Sequence, residues 1–355
     1  MHGRLSEIYV ETTKKCNLQC GICYLTGMKN KDIISDADRD IFFPVELYEK
    51  LLDDTAVFDN HKGIRVNLTG GEPLLNPDIY KILTRSRNRA EKVFLFTNGT
   101  IFSGNLIEAA DKGDIYCIVF SVDGTKKNHD LIRGRGTFKK TMGTIKKMRK
   151  KICKKTPLLA INTVINKTNI NDLEESVLLA QRLKIDILAF SFIQWISRDL
   201  QRVYLDELKE RIGHSPSMIE GFPEDLGILN EREIKNLIAA IKKIRGRMDR
   251  LKNLSIYFFP DFYSDEEIKY WFSDGCHKIN ICDSLFNKIR IYPNGDVYPV
   301  CGIPFYKIGN IKENSLSYIL NSDNMMNLRK EVQERGYFYL CQRCCRRSPD
   351  SRILA

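Results

Sequence analysis

No run of about 18 consecutive apolar residues occurs in this 355-residue chain, so no segment reads as a membrane-spanning helix. The opening Met-His-Gly-Arg-Leu-Ser-Glu lacks the apolar core of a secretory signal peptide. Internal repeats and low-complexity tracts are missing, which sets aside repeat architectures and unstructured tails. Zinc-finger spacing and aromatic stacking motifs are missing too, which argues against nucleic acid as a partner. Acidic residues are in deficit, 45 against 56 Lys and Arg, giving a net charge of +11 and a pI near 9.0. The excess is densest over Lys146–Lys155, which reads either as a solvated helix face or as a patch for an acidic partner.

The length suits one large domain plus a smaller one, and 43% hydrophobic residues can fill a sizeable core. Strand patterns fall at Glu7–Thr13, Ile64–Thr69, Val93–Thr97, Tyr116–Val122, Leu158–Ile165 and Ile187–Ile193. Helical patterns lie between them, near 44–55, 77–89, 104–112, 137–152 and 172–184. This alternation predicts an α/β fold with a parallel sheet, curled by right-handed crossovers into a partial TIM-like barrel of six β/α units. Chemistry in such barrels sits at the C-terminal strand ends. Thr69-Gly70-Gly71-Glu72-Pro73, Thr97-Asn98-Gly99-Thr100, Ser121-Val122-Asp123-Gly124 and Gln194 all fall there, with Asn162 inside the fifth strand. Residues 201–269 read as a helical connector, and 270–355 as a small cysteine-rich domain of hairpins.

Eleven cysteines without a signal peptide predict metal ligation in a reducing, cytoplasmic setting rather than a disulfide framework. Cys16, Cys20 and Cys23 stand at C-x3-C-x2-C spacing on one short loop after the first strand. Three thiolates so placed can grip three irons of a cuboidal 4Fe–4S cluster and leave the fourth iron open. A zinc site or a ferredoxin fragment is the plainer reading of three cysteines alone.

Taken with Gly70-Gly71-Glu72-Pro73 about 47 residues further on, the cysteine loop resembles the signature of the radical S-adenosylmethionine (SAM) superfamily. The resemblance covers residues 1–200 as the core. It implies that the open iron chelates SAM and that one electron cleaves it to a 5′-deoxyadenosyl radical. It also implies that the Gly70–Pro73 backbone and the Glu72 carboxylate receive the methionine ammonium, with the glycines letting the backbone approach the ligand. Thr97, Asn98, Ser121 and Asp123 are then placed for ribose hydroxyls or the methionine carboxylate, Arg133 for the carboxylate and Asn162 for the ribose. Relatives often carry an aromatic residue just before the third cysteine, against adenine; here Ile22 precedes Cys23 and Tyr24 follows it.

Cys282, Cys301, Cys341 and Cys344, with the Pro293-Asn294-Gly295 turn and Ile308-Gly309-Asn310-Ile311, resemble the SPASM/twitch extension that carries an auxiliary iron–sulfur cluster. Four thiolates leave no open iron, and too few cysteines remain for a second auxiliary cluster, so one 4Fe–4S cluster is expected. A zinc site on the same four thiolates is the alternative. Cys117 reads as core and Cys153 as incidental. Cys276 and Cys345 can replace a neighbouring ligand, and Cys276 is the better candidate for a hydrogen-atom donor, as in radical SAM epimerases.

The resemblance implies an oxidoreductase-type enzyme that modifies a ribosomally made peptide or a protein side chain by crosslinking, epimerisation or oxidation. The alternatives are a dehydrogenase or rearrangement enzyme on a small-molecule precursor, and a non-catalytic Fe–S carrier or zinc-stabilised binding module. Expected partners are a peptide or small-molecule substrate, a flavodoxin- or ferredoxin-type reductant and a separate peptide-recognition protein, because only about six residues precede the first strand.

Overall fold

The structure, a computed structural model, describes residues 5–23, 40–58, 63–152, 156–216, 223–262, 264–273, 284–300 and 306–344. Six strands run parallel and in sequence order: β1 (Glu7–Glu11), β2 (Arg65–Thr69), β3 (Lys92–Thr97), β4 (Cys117–Ser121), β5 (Leu158–Ile165) and β6 (Ile187–Phe192). Helices α1 (Val45–Thr55), α2 (Ile79–Ser86) and α3 (Gly104–Asp111) follow the first three strands in turn. A pair, α4 (Lys126–Arg133) and α5 (Thr137–Lys151), follows β4, and α6 (Leu173–Arg182) follows β5.

Period-two alternation sends Ile8, Val10, Leu68, Leu95, Ile118 and Ile161 to the helix side, where they join one continuous core with the helices. The opposite face carries a smaller cluster of Phe94, Cys117, Val119 and Ala160. Burial on both faces is why these strands read as near-continuous apolar runs.

The stretch 201–269, expected to be helical, also adds a seventh parallel strand, β7 (Ser255–Phe259), on the far side of β6. Helices α7 (Arg198–Ile212) and α8 (Glu231–Arg245) precede it in the chain and α9 (Asp265–Trp271) follows it. A five-residue apolar run cannot be told from a helix end by periodicity alone. On the other side of the sheet, β8 (Lys288–Ile291) pairs parallel with β1, and β9 (Asp296–Pro299) and β10 (Gly309–Asn310) continue antiparallel. The C-terminal hairpin therefore extends the barrel sheet. The ten strands make one open sheet with β10 and β7 at its ends, a partial barrel. Among the described residues no helix is long and apolar enough to cross a membrane.

A buried polar contact fixes how the extension joins the core. Glu7 at the start of β1 takes hydrogen bonds from Tyr9 (2.6 Å) and Asn67 (2.8 Å), and Lys288 of β8 pairs with it at 3.0 Å. Slipping β8 by one residue turns Lys288 to the other face and leaves the carboxylate without its cation. Helix α1 supplies a second tie, with Lys50 Nζ on the Ile311 carbonyl at 2.7 Å. Lys288→Met should cost about 3 kcal/mol, because it strands a buried charge. Urea unfolding should show a lower midpoint for this variant and partial recovery in the Glu7→Gln/Lys288→Met double variant. An unchanged midpoint in the single variant would contradict the role.

Candidate iron–sulfur and SAM site

The cysteine loop and the Gly70–Pro73 turn are held together by their backbones. Gly71 N–H donates to Thr13 O at 2.7 Å and Glu72 N–H to Lys15 O at 2.8 Å. A Cβ on Gly70 would lie 2.2 Å from Thr13 O, and one on Gly71 would lie 2.1 Å from Lys15 O. Gly70 also has φ of 125°, where side chains are rarely tolerated. The close approach that requires glycine is thus to the cysteine loop, not only to a ligand as the sequence reading had it.

Glu72 is fully buried. Its Oε1 accepts from Thr97 Oγ1 at 2.7 Å and from Leu74 N–H at 3.3 Å, and its Oε2 accepts from Asn98 N–H at 2.8 Å. It caps the short turn Pro73–Leu75, in which Pro73 takes the first position, where its missing N–H costs nothing. No described cation forms an ion pair with it. Burial pushes its carboxyl up to about 7, against the pull of the Asn98, Thr97 and Leu74 donors and, least, of the Arg133 charge, which is not in ion-pair contact with it. A buried carboxylate held in place by three donors, with no cation of its own, is suited to receive one from a ligand.

Two amino-acid donors reach the cysteine sulfurs. Asn98 Nδ2 lies 3.9 Å from Cys16 Sγ, and Arg133 Nη1 lies 3.9 Å from Cys20 Sγ. Asn98 is itself fixed: Nδ2 donates to Asn17 (2.9 Å), Oδ1 accepts from Thr100 N–H (2.8 Å) and its carbonyl accepts from Thr141 (2.8 Å). Arg133 is fixed by Asp123, whose Oδ2 accepts from Nε at 2.6 Å while Oδ1 accepts from Val164 N–H at 2.8 Å. Buried His129 accepts the Asp123 N–H through Nδ1 at 3.2 Å. Asn162 accepts from Ser191 at 2.8 Å and stands beside Ser121 in the β4–β5 register.

Burial raises Cys16 and lifts Cys20 to about 11, the latter against the Arg133 guanidinium, which pulls it down. No disulfide joins Cys16, Cys20 and Cys23. Among the described residues no three Cys, His, Asp or Glu side chains converge closely enough to hold a single metal ion. A cuboidal cluster instead places each thiolate on a different iron. Reduced cysteines on one turn, with N–H donors beside two sulfurs, fit that group.

Of the C-terminal four, Cys341 and Cys344 lie buried on the turn Tyr339–Arg343 and just after it, with Cys344 N–H on Cys341 O at 3.2 Å. Arg343 between them is buried, donates to Ser273 O and lies 5.1 Å over the Trp195 ring. Tyr24, Cys153, Cys276, Cys282, Cys301 and Cys345 lie outside the described residues. Cys117 is buried in the inner apolar cluster, as expected of a core residue. Sequence reasoning placed Thr100 only within the third strand-end motif and missed Asn17, His129 and Ser191. Asn17 alone carried a signal, as a polar residue directly after the first cysteine.

Residues 10–180 match the model of the Radical SAM superfamily, and residues 282–345 match that of SPASM, an iron–sulfur cluster-binding domain. AdoMet-dependent heme synthase of Methanosarcina barkeri is 28% identical over 175 residues, 49% of this chain and 46% of that protein. The Bacillus subtilis antilisterial bacteriocin subtilosin biosynthesis protein AlbA is 32% identical over 139 residues, 38% of this chain and 29% of that protein. Among solved structures, Streptococcus suis SuiB bound to S-adenosylmethionine shares the fold at a TM-score of 0.66 and 17% identity, over 96% of this chain and 72% of that one. The chain spans about half the length of the first curated relatives it matches.

The Glu72 carboxyl sets a pH dependence. Its anionic form attracts an ammonium, so SAM affinity should rise with pH and level off above about 7. Below that value it should fall by up to about tenfold per pH unit as the proton competes. Equilibrium dialysis of SAM between about pH 5.5 and 8 checks this, and Glu72→Gln should bind weakly with a nearly flat profile. Equal pH slopes in the two proteins would rule Glu72 out.

Proposed function

Because the chain belongs to the radical SAM superfamily and carries a SPASM extension, we propose that it is an enzyme modifying a ribosomally made peptide or a protein side chain, by crosslinking, epimerisation or oxidation. The cofactors are SAM, a 4Fe–4S cluster and auxiliary iron–sulfur; when bound they supply a 5′-deoxyadenosyl radical able to take a hydrogen atom from carbon. Cys16, Cys20 and Cys23 hold three irons. Glu72 accepts the methionine ammonium, Arg133 attracts the carboxylate, and Ser121 and Asn162 bind ribose hydroxyls. Thr97, Asn98 and Asp123 hold Glu72 and Arg133 in place. Tyr24, directly after Cys23, is a further candidate for the cofactor. Cys282, Cys301, Cys341 and Cys344 hold one auxiliary cluster, and Cys276 is the candidate hydrogen-atom donor.

The observation that carries the reading is the fully buried Glu72 carboxylate, locked against the cysteine loop and without an ion-paired cation of its own. A closed electron carrier has no use for such a group. The peptide substrate is favoured by the +11 charge, which suits an acidic leader, and by similarity to a protein of bacteriocin biosynthesis. Similarity to a heme synthase favours a second reading, a small-molecule precursor as substrate. A reductant of flavodoxin or ferredoxin type and a separate peptide-recognition protein complete the proposal.

Anaerobic reconstitution with iron and sulfide, followed by dithionite and SAM, should release 5′-deoxyadenosine. Changing Cys16, Cys20 and Cys23 together to Ala should abolish release yet leave about four irons bound, those of one auxiliary cluster. Release by the triple variant, or its loss of all iron, would contradict the ligand assignment.

A further inference from the structure

We infer that the outer face of α4 and the start of α5 is the docking surface for the acidic electron-donor protein. The segment carries Leu131, 72% exposed, and Lys126, Lys127, Arg135, Lys139 and Lys140, all exposed. None of these five cations forms an ion pair with a described residue, and Asp130 is the single acid between positions 126 and 151. Asp130 is itself engaged, accepting from Gly136 N–H (3.0 Å) and Phe138 N–H (2.8 Å). An exposed apolar side chain on a segment whose five exposed cations are unpaired and whose one acid is engaged marks a contact surface rather than a solvated helix face.

The same two helices touch the cysteine loop from outside. Gly21 N–H donates to Ile132 O at 2.9 Å, next to Leu131. Arg133 reaches Cys20 Sγ, and Thr141 of α5 holds the Asn98 that reaches Cys16. An electron entering through α4 therefore arrives directly beside the cysteine loop. The inference rests on the radical SAM reading and adds the place and chemistry of the donor. The transfer is one electron: the donor's reduced flavin or iron–sulfur centre is oxidised by one electron, and the cluster on Cys16, Cys20 and Cys23 is reduced by one.

The variant Lys127→Glu/Arg135→Glu/Lys139→Glu tests the assignment, with reconstituted full-length protein and two reductants, an acidic reduced flavodoxin and dithionite. Lys146→Glu/Lys150→Glu is the control, because Lys150 lies about 15 Å further along the same helix than Lys140. The triple reversal should slow flavodoxin-driven 5′-deoxyadenosine release by about tenfold or more at low salt, as expected when steering is reversed. It should leave the dithionite-driven rate and the iron content unchanged. The control should change neither rate, and in wild type only the flavodoxin-driven rate should fall as salt is raised. Equal flavodoxin rates in wild type and triple variant overturn the inference, as does an equal loss with both reductants. Absence of dithionite-driven release in wild type would instead overturn the radical SAM reading itself.

Discussion

Two loops from neighbouring strands share a backbone seam that leaves no room for a single methyl group. Gly71 and Glu72 donate to the carbonyls of Thr13 and Lys15, and a Cβ at either glycine would sit inside a carbonyl oxygen's contact distance. The seam sets the cysteine loop's height on the rim and, one residue later, aims Glu72 along it. β1 and β2 are adjacent and parallel, so both loops leave the sheet at the same edge, with Glu11 opposite Thr69. Register therefore turns two short motifs into one site. The absence of a side chain at two positions decides whether that site exists.

Electrostatics complete what the seam begins. Glu72 and Asp123 are both fully buried carboxylates, yet only Asp123 has its own cation, Arg133. An unpaired buried charge is costly, and three donated hydrogen bonds compensate only in part. On the proposed reading the arrangement suits a zwitterion, with its ammonium at Glu72 and its carboxylate at Arg133. Arg133 is in turn tied to Cys20, so one guanidinium links ligand recognition to the cluster loop. The outward side of that same helix carries the unpaired lysines. α4 thus touches the cysteine loop on one side and carries exposed lysines on the other.

Much of this was legible in the sequence, for a physical reason: local motifs at strand ends carry their own spacing. The cysteine loop, Gly70–Pro73 and Ser121–Gly124 fall where a strand pattern stops, and parallel topology brings such ends together. Contacts between distant segments were not legible. Lys288 meeting Glu7, β8 pairing with β1 and the seventh strand β7 depend on tertiary packing that no local pattern encodes. The same holds for Asn17 with Thr100 and for His129 of α4 with Asp123, where the partners are ordinary polar residues. The helix α4 itself fell between two predicted elements, because its eight residues are mostly polar and bury only His129 and Ile132.

The central claim is that the iron left open by Cys16, Cys20 and Cys23 takes SAM as its ligand. The most direct measurement is the EPR spectrum of the dithionite-reduced protein before and after SAM is added. It is best recorded with Cys341 and Cys344 changed to Ala, so that one cluster dominates the signal. A shift of the reduced-cluster signal on adding SAM, lost in Glu72→Gln at the same SAM concentration, is the result the account predicts. A spectrum that SAM leaves unchanged would mean a closed cluster, and the site would then be an electron carrier rather than an enzyme.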